Sequence, residues 1–551
     1  MPVSATDRTM RMIRAGYLAL LTVSVLMLTA CTSGGEPDAL QPTTKQPPMS
    51  SPAPPITLPP DTPAATDVIP KPLTVRADKE ANFALDSDTQ IRAAGDAVTV
   101  ADYLGELLRP ATGFDLPVTH SDQAGAGAIT LRLTDGDDLA GEGYRLEVTR
   151  DGVTITAAEV GGVFAGVQTL RQLLPADIER GQPVDRDWAV AGGTITDRPR
   201  FAYRGTMLDV ARHFFDVDVV KRHIDRIVQY KINHLHLHLA DDQGWRIEIK
   251  SWPELTRIGG KTQVGGGEGG FYTQQEYREI VAYAASRGVV IVPEIDMPGH
   301  TNAALASYSE LNCSGKAPAP YTGTQVGFSS LCIDKDVTYR FARDVIREVA
   351  ALTPGAFLHI GGDEATSTSA ADYRTFFAKV LPMISAEGKR ALGWHEYAQV
   401  PLPDTAAVQY WRIETANEPA RAAADAGRQV LMSPANKTYL DMKYAETDPW
   451  GNKWAGPVSV RTAYEWDPAG FLDGVGEESV LGVETPLWTE LVETEEKIER
   501  MAFPRIPAIA EVGWSPQEAR EWPEFRTRLA DQESRMTAQG IAFHRTPELS
   551  W

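Results

Sequence analysis

Two rhythms of apolar spacing divide the chain. Over 69–197, short β-rich runs (128–133, 144–148, 152–156) alternate with stretches at helical spacing (101–108, 161–174), which predicts a small α+β domain. Gly161-Gly162 invites a phosphate-loop reading of that second helix. No Lys-Ser/Thr follows and no GxGxxG introduces the helix, so close packing is the better explanation. From 198 to 551 β-rich runs alternate with amphipathic helices, the pattern of a parallel sheet with crossover helices. Eight runs, at 202–210, 232–239, 289–295, 357–360, 390–394, 407–411, 429–432 and 480–483, predict an α/β fold closed as a (β/α)8 TIM barrel. Between the second and third runs, Thr273-Gln274-Gln275-Glu276 is a capping box that opens a helix, and Gly288 stops it. The final helix is less sharply marked, with Pro507 suited to its first turn.

The first 68 residues follow neither rhythm. Arg8, Arg11 and Arg14 precede an apolar run over 15–28 that is too short to span a bilayer, and Leu28-Thr29-Ala30-Cys31 follows. This reads as an export signal over 1–30, and it resembles the lipobox of bacterial lipoproteins, in which the cysteine is lipidated. Residues 31–68, dense in Pro, Thr, Ser and Ala, read as a disordered tether. The expected location is the outer face of the cell membrane, reached through a lipid anchor only. In an oxidising compartment Cys313 and Cys332 are expected to pair; free thiols or a metal site are the alternatives, the latter poorly served by two thiolates without neighbouring His. A formal net charge of -21 repels phosphate backbones, which argues against nucleic acid and for a neutral ligand.

Barrel enzymes build their sites at the C-terminal ends of the strands, and polar residues collect there. The first run ends in Asp209 and Arg212, the second in Asp241-Asp242-Gln243-Gly244-Trp245, the third in Asp296 and His300, and the fourth in Gly361-Gly362-Asp363-Glu364. Enzyme carboxylates that straddle a glycosidic bond stand about 5–9.5 Å apart across the sugar. Adjacent residues leaving one backbone point are poorly placed for this, so another group must supply the nucleophile. A 2-acetamido group on the substrate meets the need, with one carboxylate as acid/base and its neighbour orienting the amide.

The motifs LDVARHFF at 208–215, HLADDQGW at 238–245, PEIDMPGH at 293–300 and HIGGDE at 359–364, followed by GWHE, YW, YLD and LWTE, resemble family 20 of the glycoside hydrolases, the β-N-acetylhexosaminidases. The resemblance implies exo-acting hydrolysis of terminal β-linked GlcNAc or GalNAc, without cofactor or metal, on small carbohydrates such as chitooligosaccharides. It implies that Glu364 is the acid/base and that Asp363 holds the acetamido N–H. Trp394, Trp411 and Trp488 would line the acetamido pocket, and Tyr439 would bind the amide oxygen. Arg212 and Glu490 would read the 3-, 4- and 6-hydroxyl edge, with Asp441 orienting the tyrosine or touching hydroxyls. Asp241 and His300 would form a supporting pair beside Glu364.

Two readings compete. His234, His236 and His238 alternate along one strand and face one side, so with Asp241 or His300 they could mimic the metal site of a metal-dependent hydrolase or deacetylase. A glycan-binding lipoprotein without turnover is the other. The glycine-rich segment 259–270 is a candidate for subsite selectivity.

Overall fold

The computed structural model describes residues 56–136, 139–413 and 418–551; the expected signal peptide, Cys31 and the first part of the tether lie outside them. Eight strands form a closed barrel: β1 (Tyr203–Asp209), β2 (His234–His238), β3 (Val290–Glu294), β4 (Phe357–His359), β5 (Arg390–Trp394), β6 (Ala407–Tyr410), β7 (Gln429–Met432) and β8 (Val480–Leu487). Neighbours pair in parallel, and β1 closes on β8 with Tyr203 opposite Gly482 and Leu208 opposite Leu487.

The last strand runs on to Leu487 rather than stopping at 483. Glu484 and Pro486 interrupt the apolar run in sequence, but the barrel accommodates both. Glu484 turns inward to an ion pair with His236 Nδ1 at 2.9 Å, and accepts from Gln409 Nε2 at 2.7 Å. Pro486 lacks only a donor, and its carbonyl accepts from Leu440 N at 2.8 Å.

The barrel interior is layered. Tyr203, Val292, Phe357, Leu392, Ala407, Leu431 and Leu481 make an apolar plug. Strand register then aligns Asp209, His238, Glu294 and His359 across β1 to β4, so polar side chains reach the C-terminal ends together. Outside, the helix Gln274–Ala285 carries the expected capping box, with Thr273 accepting from Glu276 N and Glu276 from Thr273 N. A cap of this kind contributes about 1 kcal/mol. Gly288, at φ 74°, ends that segment in the left-handed region where glycine is favoured.

The preceding domain is a mixed seven-stranded sheet in the order Thr74–Ala77, Gly193–Asp197, Tyr144–Thr149, Gly152–Ala157, Ala128–Leu133, Gln90–Ala93, Val118–His120. Helices Ala97–Thr112 and Val160–Leu173 pack on it. A Cβ on Gly162 would stand 2.4 Å from the Gly143 carbonyl oxygen, so this glycine serves close helix–strand packing, as expected. Buried Asp197 ties the domain to the barrel: it accepts from Tyr144 OH at 2.9 Å and Trp514 Nε1 at 3.0 Å, and pairs with Lys231 Nζ at 3.1 Å. Among the described residues no helix is long and apolar enough to cross a membrane.

Candidate active site

A cavity of about 440 Å³ opens at the C-terminal ends of the strands. Arg212, Asp363, Glu364, Trp411, Tyr439, Asp441, Trp488 and Glu490 line it, together with Thr324, Val326, Arg412, Asn452, Trp454 and Leu491.

The turn after β4 presents the two adjacent carboxylates. Gly361 and Gly362 have φ of 67° and 94°, and a Cβ on Gly361 would fall 1.9 Å from Asp296 Oδ1. The glycines therefore let the chain double back over Asp296, which accepts from Gly362 N at 2.9 Å. Glu364 itself sits at φ 45° and His300 at φ 51°, left-handed conformations that a side-chain-bearing residue holds only under constraint from its surroundings. Burial, and secondarily Asp363, raises the Glu364 carboxyl above the usual carboxylate range. Burial and then Asp363 push Asp296 well above it. Asp363 Oδ1 is buried with no hydrogen-bond partner among the described residues.

Behind this turn stands His300, its Nδ1 3.2 Å from Asp241 Oδ1 and its Nε2 3.6 Å from Asp363 Oδ2 and 3.8 Å from Glu364 Oε2. Burial opposes a charge on this imidazole, but Asp241 and then Asp363 raise it well above the ordinary histidine range. Asp241 in turn pairs with Arg212 Nη2 at 2.8 Å and His238 Nε2 at 2.9 Å. Against the opposing effect of burial, Arg212 and His300 hold it well below the usual range.

Arg212 is fixed from several sides. Asp209 Oδ1 accepts from its backbone N, Asp209 Oδ2 lies 3.3 Å from Nη1, and the guanidinium covers the Trp488 ring at 4.8 Å. It is therefore both a barrel-rim ion pair and a wall of the cavity. Across from it, Asp441 accepts from Asn452 Nδ2 at 3.1 Å through Oδ2, while Asp441 Oδ1 and Glu490 Oε2 are buried and unpartnered among the described residues. Burial and then Glu490 push Asp441 up to about 8.

The aromatic wall stacks Trp411 on Tyr439, with centroids 6.2 Å apart and planes 12° apart, and Trp454 meets both edge-on. Trp394 is 1% exposed and lies beneath Trp488 and Trp411, with Nε1 donating to Glu294 Oε1 at 2.9 Å. Thus Asp241, His300 and Trp394 support the cavity from behind, whereas the other expected site residues face it. Cys313 and Cys332 form a disulfide, and the loop it closes brings Thr324 and Val326 to the mouth.

Sequence reasoning placed Asp296 at a strand end without giving it a role, and missed Arg412, Asn452, Trp454 and the mouth residues Thr324, Val326 and Leu491. Asp296 at a strand end and Arg412 directly after Trp411 carried a positional signal; the loop residues carried none.

Three groups of side chains have donor atoms within 4.8 Å of one another: His236, Glu294 and His359; Asp241, Asp242 and His300; Asp296, His300 and Asp363. In each, a carboxylate oxygen already has a partner within the protein. Glu294 faces His236 Nε2 at 3.0 Å and His359 Nδ1 at 2.8 Å, and also binds His238 Nδ1 and Trp394 Nε1. Asp241 pairs with Arg212, and Asp296 Oδ1 accepts from Gly362 N at 2.9 Å. The three alternating histidines do not converge on one point: His234 stacks on Tyr203 at 3.9 Å, and its Nδ1 meets Asn233 Oδ1, while His236 and His238 each pair with carboxylates.

Residues 201–373 and 366–517 match the glycosyl hydrolase family 20 catalytic domain, and 65–198 match domain 2 of the same family. A β-N-acetylhexosaminidase of Cellulomonas fimi is 40% identical over 486 residues, covering 88% of this chain and 97% of the relative. The solved β-N-acetylhexosaminidase of Streptomyces coelicolor A3(2) is 53% identical, with a TM-score of 0.85 over 89% of this chain and 99% of that one. A mutant Streptomyces plicatus β-hexosaminidase, solved in complex with its product GlcNAc, is 53% identical, with a TM-score of 0.86 over 89% and 98%. With both domains matched in order and a solved relative at more than half identity along nearly its whole length, this chain belongs to glycosyl hydrolase family 20.

Proposed function

We propose that the protein is an exo-acting β-N-acetylhexosaminidase, removing terminal non-reducing β-linked GlcNAc or GalNAc with retention of configuration. The observation that carries this reading is the juxtaposition of Asp363 and Glu364 on one turn, facing a cavity walled by Trp411, Tyr439 and Trp488. Aromatic rings grip the methyl and flat amide of an acetamido group. Asp363, a lining residue whose Oδ1 has no hydrogen-bond partner among the described residues, accepts the amide N–H. The amide oxygen, steadied by Tyr439 OH, attacks the anomeric carbon while Glu364, whose carboxyl burial raises above the usual range, gives its proton to the leaving oxygen. A cyclic oxazolinium results. Glu364 then takes a proton from water, which opens the ring from the face the leaving group vacated. Arg212, Asp441 and Glu490, which line the cavity, hold the hydroxyl edge of the terminal sugar. Hydrolysis of an aryl β-N-acetylglucosaminide by the wild type and its near-complete loss in Glu364→Gln test this; equal turnover would reject the assignment. The Glu364→Gln variant also separates catalysis from mere glycan binding, which it would preserve.

We also infer that 198–551 is the catalytic unit, with 69–197 as its companion domain and 31–68 as a tether. Arg8 to Cys31 support export and lipid anchoring at the outer membrane face. Cys31→Ser should move the protein from the membrane fraction to the soluble fraction; unchanged partition would reject the anchor.

A further inference from the structure

Glu396 lies behind the cavity wall, on the short turn His395–Gln399 that follows β5, with its side chain 17% exposed. Trp411, the first residue after β6, donates its indole Nε1–H to Glu396 Oε2 at 3.0 Å. An indole has one polar atom, so this bond is the one hydrogen bond that orients a ring otherwise held by neighbouring rings and by the Arg412 guanidinium, 5.2 Å over it. The other oxygen, Oε1, is buried and unpartnered among the described residues, and Arg412 Nη1 approaches it no closer than 4.0 Å. His395 Nδ1 lies 3.6 Å from Oε2.

We propose that Glu396 is a positioning residue that determines acyl-group specificity: by holding the Trp411 indole, it sets the width of the pocket that receives the 2-acetamido methyl. The inference rests on the reading of this cavity as an acetamido pocket.

Three observations support it. Trp411 is the ring stacked on Tyr439, so a swing of its plane opens the wall next to the tyrosine proposed to hold the amide oxygen. Trp454, on the far side, meets Trp411 edge-on and is 45% exposed, so it offers little resistance to that swing. Burial, and then Asp363, push the Glu396 carboxyl up to about 8. Near neutral pH it is a neutral acid whose carbonyl-type oxygen accepts the indole N–H without placing a second charge beside Asp363. Glutamine reproduces that acceptor, while leucine fills the same volume and removes it.

The experiment compares kcat/KM for aryl β-glucosaminides carrying N-acetyl and N-butyryl groups, in the wild type, Glu396→Gln, Glu396→Leu and Glu396→Asp. The expected result is that Glu396→Gln preserves the acetyl-over-butyryl preference within about twofold. Glu396→Leu, and Glu396→Asp with its shorter reach, lower it roughly tenfold, as loss of one orienting hydrogen bond would. If Glu396→Leu does not fold, the aspartate variant decides alone. An unchanged preference in the folded variants, or equal loss on both substrates, overturns the proposal. Failure of the wild type to cleave the N-acetyl substrate would instead sink the acetamido-pocket reading.

Discussion

Two sets of histidines and carboxylates lie one above the other in the same barrel, and they differ in how completely they are matched. In the sealed layer, both oxygens of Glu294 and both of Glu484 have partners: His236, His238, His359 and Trp394 for the first, His236, Gln409 and Tyr203 for the second. At the mouth, Asp363 Oδ1, Asp441 Oδ1 and Glu490 Oε2 are buried without a partner among the described residues. Buried polar atoms are ordinarily satisfied, because an unmade hydrogen bond costs about 1–3 kcal/mol. The carboxylates of the lower layer thus hold the barrel, although His359 Nε2 and Gln409 Oε1 there also lack hydrogen-bond partners among the described residues, and the upper layer keeps unmet carboxylate oxygens for a ligand.

The largest effect should come from breaking the upper set. Glu364→Gln removes the transferable proton and is expected to lower kcat by about 10²–10⁴, with denaturation midpoint nearly unchanged, because no matched ion pair is lost. Asp363→Asn should cost about 10²–10³, read in the same assay. The converse holds below: Glu294→Gln removes the carboxylate shared by His236, His238 and His359 and should destabilise the fold by about 3–5 kcal/mol in urea titration. A stable Glu294→Gln protein would break the contrast.

A pH series sharpens the contrast. Asp441 sits at about 8 in the folded protein against 3.8 as the reference. Between those values the native state keeps a proton that the unfolded chain has released, so stability falls as pH rises through that interval. Asp441→Asn should flatten that slope by up to about 1.4 kcal/mol per pH unit. The sealed layer behaves otherwise. Glu294, held well below 4.5 by His359, His238 and His236 against burial, contributes fully above 4.5 and less as pH falls. His236, carried up to about 9 by Glu484 and Glu294 despite burial, contributes fully below 6.5 and loses this as pH rises through about 9. The smallest effect is expected from a strong chelator, which should leave activity unaltered; inhibition reversed by added metal would reopen the cation reading of the His236, Glu294 and His359 group.

Most of the barrel was legible because its strands are apolar runs that stop in charged residues, and those stops are where chemistry collects. The end of β8 was not, since Glu484 looks like a surface residue until His236 and Gln409 are seen facing it. Depth was also illegible. Trp394 and Trp411 both close a strand, yet one lies under the floor and the other forms the wall, a distinction set by packing across β5 and β6. Thr324, Val326, Asn452 and Trp454 reach the mouth on loops whose course depends on tertiary contacts such as the Cys313–Cys332 bond and the Asn452–Asp441 hydrogen bond. No local pattern marks them.

The central claim is that the substrate's own amide oxygen is the attacking group. Its most direct test is the ratio of kcat/KM for an aryl β-N-acetylglucosaminide to that for the matched aryl β-glucoside. An intramolecular nucleophile held in place predicts a ratio of about 10⁴ or more, whereas comparable turnover of the glucoside would contradict the account.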